Sequence, residues 1–537
     1  MSMVKTIFQG WEEEMDKVLR SESISRSKGN LILVCIVGLT ALLRLYTMNV
    51  PAIDRTAWKE IDYIMISKNY DQEDGAFLYP RVSWPAEEPR ITAMELPVVP
   101  YVASLFYPVF GVNSFSVRLP TFIAFLLLIV YTYKLVLREG GGRLLALLAA
   151  FVSALIPLFS EFRNLLFSEP ALIFFSVFCI YQYAQWMDFR RKANLIGFVL
   201  GFSMAVSLKP TALYLLLPLF WIHFRVYKFN ILPYFKWAGI IAASMVIPVL
   251  WYVHAYFLAK EYIDVFGVFG GRFGGHDKFQ TLAMLSSPSW YLAMLDRLRG
   301  LLLGRTGGLL FVIGLFTAWR KKAGYLFAAY LLAIFCFFAI VAEGQLDAPY
   351  RQLTIVPAAS FFMALGTLAF AVMGYTILNR LVVRLSRTNA LLVSVALSSV
   401  VLLFLPLRRP HIILPRNGDT PVHPDNWLLA EQIRKYKTED SRMIMLGEYT
   451  IHEGGNDFSP VTYYYAGVTG WSLKEGDWND AVIDSLKARG ATLMGAIGYK
   501  REPALETYLQ SLSSRYKVLY DNPEEELLLL SLKQENN

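Results

Sequence analysis

Charge is scarce in this 537-residue chain: Asp, Glu, Lys and Arg make up 18% of it, against 55% hydrophobic residues. At ~150 residues per domain the length would suit about three soluble domains. A mean hydropathy of +0.40 excludes that reading, because a chain becomes this apolar only when long stretches have lipid as their solvent. Intrinsic disorder, a coiled coil, a disulfide scaffold and a nucleic-acid binder are excluded on the same ground. Cysteine is nearly absent: Cys35, Cys179 and Cys336 all lie in apolar runs, so no disulfide is expected and packing is their default role. Six scattered histidines and no CxxC leave no case for a zinc site. No apolar core sits beside a cleavage site in the polar first segment, so a removable signal peptide is not expected there. Gly454-Gly455 is too sparse for a phosphate loop and reads as a turn.

What is present is a series of long apolar runs. Leu31–Met48, Val117–Leu137, Leu144–Phe159, Pro170–Met187, Leu195–Leu208, Ala212–Phe224, Trp237–Leu258, Leu309–Trp319, Tyr325–Val341, Leu353–Tyr375 and Ala390–Leu407 predict about eleven spans. The excess of 51 Lys and Arg over 43 Asp and Glu gathers in alternate short loops: Arg26 and Lys28; Lys134, Arg138 and Arg143; Arg190 to Lys192; Arg225, Lys228 and Lys236; Arg320 to Lys322; Arg380, Arg384 and Arg387. With these loops cytoplasmic, the positive-inside rule holds throughout. The register requires that Pro97–Gly111, apolar but carrying three prolines, lies at the outer leaflet without crossing. The predicted organisation is a cytoplasmic segment 1–28, a membrane domain 29–407 with an outer loop 49–116, and a soluble domain 408–537. In that last part helix-like and strand-like runs alternate: Trp427–Tyr436, Met443–Leu446, Asp480–Arg489, Ala491–Ile497, Ala504–Leu512 and Leu527–Leu532. They predict a polytopic α-helical membrane protein with a C-terminal extramembrane α/β domain.

Charged groups held at the bilayer without a topological reason mark chemistry. In the outer loop, Asp54 is placed to cap a helix and Asp62 lies within that helix, Trp58 one turn before it. Their plain alternatives are an N-cap and a solvated helix face. Lys209, between two apolar runs on the outer side, runs against the positive-inside bias and favours a function. For Arg163 and Arg351 the commoner role is a side chain snorkelling to the membrane boundary.

The acidic helix after the first span, the proline-flanked segment entering "LFYPVFG" and "SVRLP" opening the next span resemble the GT-C integral-membrane glycosyltransferases. The similarity is closest to the family 39 and ArnT-like group, relatives of protein O-mannosyltransferases and aminoarabinose transferases. It covers Leu31 to Lys209 well and the later spans loosely. "TAWKEIDYIMISKNY" resembles a Trp-Arg-x-x-Asp variant of the group's acidic motif, and "MELPVVPY" its Glu-Phe-Pro-Leu segment, which raises Asp62 and Glu95 beside Asp54 as catalytic carboxylates. The group's Asp-Glu pair would fall near Lys59-Glu60. By position, Arg163 with Glu169, Lys209, and Tyr350-Arg351-Gln352 match the group's donor-facing polar residues, and Arg90 joins that substrate-binding set.

The resemblance implies an inverting transfer of a sugar from a polyprenyl-phosphate-linked donor to an acceptor hydroxyl on a lipid, protein or glycan. It places the reaction at the periplasmic face of a bacterial inner membrane. One carboxylate would deprotonate the hydroxyl, and a cationic clamp would hold the departing phosphate. No cofactor is expected: the outer loops near the membrane hold no Asp-x-Asp, and "GDWND" at 476–480 lies far along in the soluble part. A transporter or flippase of the lipid-linked sugar is the alternative, but it predicts an internal repeat of broken helices that the sequence lacks. A non-catalytic scaffold would leave Arg163, Lys209 and the acidic loop without a shared purpose.

Overall fold

The computed structural model describes residues 2–20, 24–52, 57–84, 89–158, 168–262, 267–269, 282–302, 304–381, 424–447, 449–450, 455–456, 460–501 and 503–533. The expected class is found, a mostly helical chain with a small C-terminal sheet. It divides into two compact units.

The first unit takes Met1–Met48, Pro120–Leu250 and Asp277–Asn417. Its centre is helix Val356–Leu381, apolar on every side as a helix surrounded by other helices must be, and packed by Gly304–Lys321, Gly142–Leu158 and the N-terminal helix Ser2–Arg20. Small residues let two of these backbones touch. A Cβ on Gly314 would come within 1.7 Å of the Phe362 carbonyl oxygen, and one on Gly366 within 1.9 Å of that of Leu310. Helix Arg26–Thr47 instead turns Leu31, Val34, Leu39 and Leu42 outward, as a span with lipid as its solvent does. Helix Ser2–Arg20 buries Trp11, Met15 and Val18, spaced four and three apart along one face. Trp11 Nε1 donates to the Ala369 carbonyl at 3.0 Å. On its other side Glu12 pairs with Arg320 and Asp16 with Lys321, so two cations of that basic loop are neutralised within the fold.

Among the described residues three helices are long and apolar enough to cross a bilayer alone, Arg26–Leu45, Ser114–Arg138 and Tyr350–Ile377, or up to five if each bent pair counts as one span. The eleven expected runs do not all become single spans, for physical reasons. Pro210 and the residues after it form a 3₁₀ segment ahead of helix Leu216–Tyr227, and the run through Trp237 bends by 41° between helices Leu232–Ser244 and Val246–Glu261. Gly142–Ile156, Lys192–Leu208 and Tyr325–Ile340 are shorter apolar helices. The run Ala390–Leu407 lies outside the described residues. Pro97–Gly111 forms only the short helices Val98–Ser104 and Tyr107–Phe110, and seven residues rise only ~10 Å, far less than a ~30 Å core.

The second unit takes Asn49–Leu119, Trp251–His276 and Gly418–Asn537. Its outer-loop helix Ala57–Gln72 is packed by Val98–Ser104 and by helix Pro460–Ala466 from the C-terminal part. The Ala52 amide donates to the Tyr465 hydroxyl at 2.8 Å, tying the loop to that same helix. The C-terminal sheet has the order β4-β1-β5-β7-β6, with β1 Arg442–Leu446, β4 Thr469–Leu473, β5 Ala491–Ile497, β6 Lys517–Asn522 and β7 Leu527–Ser531. β1 lies parallel to β4 and β5, and β7 is antiparallel to β5 and β6. Two-residue strands β2 (Tyr449–Thr450) and β3 (Gly455–Asn456) pair separately. Helices Asp480–Ala488 and Pro503–Ser513 close the core over Ile444, Trp471, Met494 and Leu530. In the "GDWND" stretch the Asp480 carboxylate is held by Arg515 at 2.8 Å, a structural ion pair.

Candidate active site

In the second unit the outer-loop helix carries Lys59, Glu60 and Asp62 within one turn. Asp62 is 1% exposed, so the solvated helix face is excluded. Its Oδ1 accepts a hydrogen bond from Trp84 Nε1 at 3.0 Å, and its buried Oδ2 has no partner among the described residues. Burial raises the Asp62 carboxyl to about 7, against the lowering effect of the Trp84 hydrogen bond and the Lys59 charge. Lys59 Nζ lies 3.1 Å from Glu95 Oε1 and over the Tyr63 ring. Glu60, fully buried, accepts from Arg118 at 3.0 Å, and Arg118 also donates to the Val50 carbonyl. Trp84 lies three residues beyond an antiparallel bridge. Arg81 and Ile91 form an antiparallel bridge, Arg81 pairs with Glu73 and Asp74 at 3.0 and 2.9 Å, and Arg90 pairs with Glu73 at 2.7 Å. Arg90 adopts φ +58°, a conformation L residues rarely hold. The structure thus sets it in this ion-pair ladder.

In the first unit Glu169 opens helix Glu169–Phe189 in front of Pro170, a helix start that its charge also favours. Lys209 ends helix Lys192–Leu208 in extended conformation (φ −155°, ψ 124°), because the following Pro210 disfavours helical geometry before it. The Lys209 ammonium pairs with the fully buried Glu169 carboxylate and lies 5.0 Å from the centre of the Tyr350 ring. Hydroxyls tie the three backbones together. Tyr214, just after Lys209, lies 3.1 Å from Ser176 on the Glu169 helix, and Tyr330 donates to the Thr354 carbonyl at 3.0 Å within the 3₁₀ segment that carries Tyr350. Arg351 donates to the Gly344 carbonyl at 2.6 Å.

Of the residues singled out from sequence, Asp62 and Glu95 are found in one cluster and Glu169, Lys209 and Tyr350 in the other. Asp54 and Arg163 lie outside the described residues. Sequence reasoning did not single out Trp84 or the Glu60–Arg118 pair. Arg118 stands in the "SVRLP" motif and Glu60 in the register of the acidic pair, so both had a signal; Trp84 had none. Among the described residues no three His, Cys, Asp or Glu side chains are grouped to hold a metal ion.

Residues 89–252 match the family model described as dolichyl-phosphate-mannose-protein mannosyltransferase. The chain is similar in structure to ArnT from Cupriavidus metallidurans bound to undecaprenyl phosphate, at TM-score 0.61 and 14% identity over 95% of this chain and 99% of that one. It is similar to the same protein in the apo state at TM-score 0.62 and 15% identity, over 94% and 98%. No protein of curated function matches. The resemblance drawn from the outer-loop motifs is therefore borne out, and the chain has the ArnT-like GT-C glycosyltransferase fold of an integral membrane protein.

Proposed function

We propose that this protein moves a sugar from a polyprenyl-phosphate-linked donor to an acceptor hydroxyl on the periplasmic side of a bacterial inner membrane, with inversion and with Asp62 as the base. The observation that carries this reading is the Asp62 carboxylate itself: buried, fixed through one oxygen by Trp84, and with the other oxygen meeting no partner among the described residues. A carboxyl titrating near 7 is matched to removing a hydroxyl proton as the new bond forms. Glu60 is less suited, since its carboxylate is committed to Arg118.

The leaving group is a phosphate, which departs as an anion and needs a cation more than a proton. Lys209 supplies one. An ammonium has three donors, and the pairing with Glu169 uses one of them while holding the group in place. The binding of undecaprenyl phosphate by the structurally similar ArnT supports a polyprenyl phosphate as the lipid partner. The test is incubation of the purified protein with a panel of undecaprenyl-phosphate sugars, mannose among them, following release of undecaprenyl phosphate. Release from one donor, lost in Asp62→Asn, is the expected result. No release from any donor under conditions that keep the protein folded would reject the transferase.

A further inference from the structure

We propose that Trp84 is the positioning residue of the catalytic base: its indole N–H fixes Asp62 Oδ1, directs Oδ2 at the acceptor hydroxyl, and sustains the ionised carboxylate. The proposal rests on the reading of Asp62 as the base. Trp84 and Asp62 are each 1% exposed and meet at 3.0 Å. A carboxylate in such a site loses the water that would solvate it, so one donor has a large share in whether it ionises. An indole offers a single N–H and no acceptor. It therefore favours the ionised carboxylate and cannot take the proton that Asp62 acquires from the acceptor, so that proton stays on Asp62 until the product leaves.

The described residues around the bridge hold this side chain in place. Trp84 follows the Arg81–Ile91 bridge, where the Val82 amide donates to the Arg90 carbonyl and the Thr92 amide to the Pro80 carbonyl. The side chains of Glu73, Asp74, Arg81 and Arg90 lock the bridge to the end of the Asp62 helix, and Asn69 of that helix donates to the Arg81 carbonyl at 2.9 Å. Arg90 is thereby a brace for the donor of the hydrogen bond. The other charges of the cluster are internally paired, Lys59 with Glu95 and Glu60 with Arg118, and Lys59 is the one that acts with Trp84 in lowering the Asp62 carboxyl.

Two measurements on the full-length protein in detergent test this. The first is ¹⁹F NMR of the protein grown with 5-fluorotryptophan. One tryptophan resonance should titrate with a midpoint near 7, be absent from Trp84→Phe, and lose its pH dependence in Asp62→Asn. The second is the pH profile of undecaprenyl-phosphate release from the donor that the panel selects. Trp84→Phe should move the acid limb to higher pH by about one unit, with a five- to tenfold loss of rate at pH 7, because the ionised form loses a charge-assisted bond. If Trp84→Phe does not fold, the comparison of the labelled parent with Asp62→Asn decides by itself: a tryptophan resonance coupled to Asp62 upholds the proposal, and none overturns it. An unmoved acid limb in Trp84→Phe, with Asp62→Asn inactive, overturns the role of Trp84 and leaves the base in place. Full turnover in Asp62→Asn overturns both.

Discussion

A buried carboxylate with one unpartnered oxygen costs stability whenever it is ionised, and this sets expectations for activity and stability together. The Asp62 carboxyl, at about 7 in the fold, lies some 3 units above a free aspartate. The unfolded chain releases its proton first as pH rises, so the native state loses stability between about pH 4 and 7 and stays lower above that, by up to ~4 kcal/mol. Asp62→Asn keeps an oxygen for Trp84 Nε1 and removes the charge. Its thermal midpoint in detergent should exceed that of the parent at pH 8 and match it at pH 4. Turnover should fall ~10²–10⁴-fold, as for a positioned base, while donor binding survives. Asp54→Asn is the counter-test: if that variant is dead and Asp62→Asn active, the base is Asp54 and not Asp62. At Lys209 the sign is opposite. Lys209→Ala strands the fully buried Glu169, a change of ~3–5 kcal/mol when a buried pair loses one member. Adding Glu169→Gln should restore most of the thermal midpoint but not donor affinity, which drops by ~1.5–3 kcal/mol with the charge-assisted bond. Equal donor affinity in parent and double variant, measured by titration with undecaprenyl phosphate, would remove Lys209 from the clamp.

At the scale of elements, what could be read from sequence depended on whether one segment held its own signal. Trp427–Tyr436, Asp480–Arg489 and Ala491–Ile497 carry full periodicity and correspond to helices Pro424–Tyr436 and Asp480–Ala488 and to β5. The missed elements have a cause outside themselves. β4, "TGWSL", holds Gly470 because a Cβ there would lie 2.0 Å from the Met443 carbonyl oxygen, and glycine in sequence reads as a break. β6 is an edge strand, exposed at Lys517 and Val518, so one pattern of burial is missing. The site divided the same way. Lys209 stood out as a cation between apolar runs, whereas the Trp84–Asp62 bond exists only once a bridge between residues 81 and 91 has formed. The glycine contact between helices Gly304–Lys321 and Val356–Leu381 is likewise invisible to composition, since apolar helices in lipid associate by close packing and not by hydrophobicity. Gly314→Leu or Gly366→Leu should therefore lower the thermal midpoint sharply, while Gly308→Ala and Gly374→Ala, with nothing within 4 Å of the added carbon, should leave it within about a degree or two.

For the whole molecule, the class followed from composition, because 55% hydrophobic residues cannot all be buried by a soluble fold of this length. The number of spans did not follow, because hydropathy measures solvent preference and is blind to where proline bends or shortens a helix, as after Lys209. Orientation rests on charge. The alternate basic loops predict a cytoplasmic N-terminus, and helix Ser2–Arg20 adds a physical reason: its Glu12 and Asp16 answer Arg320 and Lys321 of another such loop, so both must lie on one side of the bilayer. A reporter that fluoresces only in the cytoplasm, fused ahead of Ser2, should be bright, and alkaline phosphatase fused after Asn537 should be active. Substituting Arg320, Lys321 and Lys322 together by Gln should lower the thermal midpoint through the lost pairs while leaving both reporters unchanged, since five other basic clusters still favour the same side. If the phosphatase fusion is inactive and the cytoplasmic reporter bright when moved to the C-terminus, the C-terminal domain, and Asp62 in the unit it shares, face the cytoplasm. The proposed periplasmic transfer would then be wrong even if both clusters act as described.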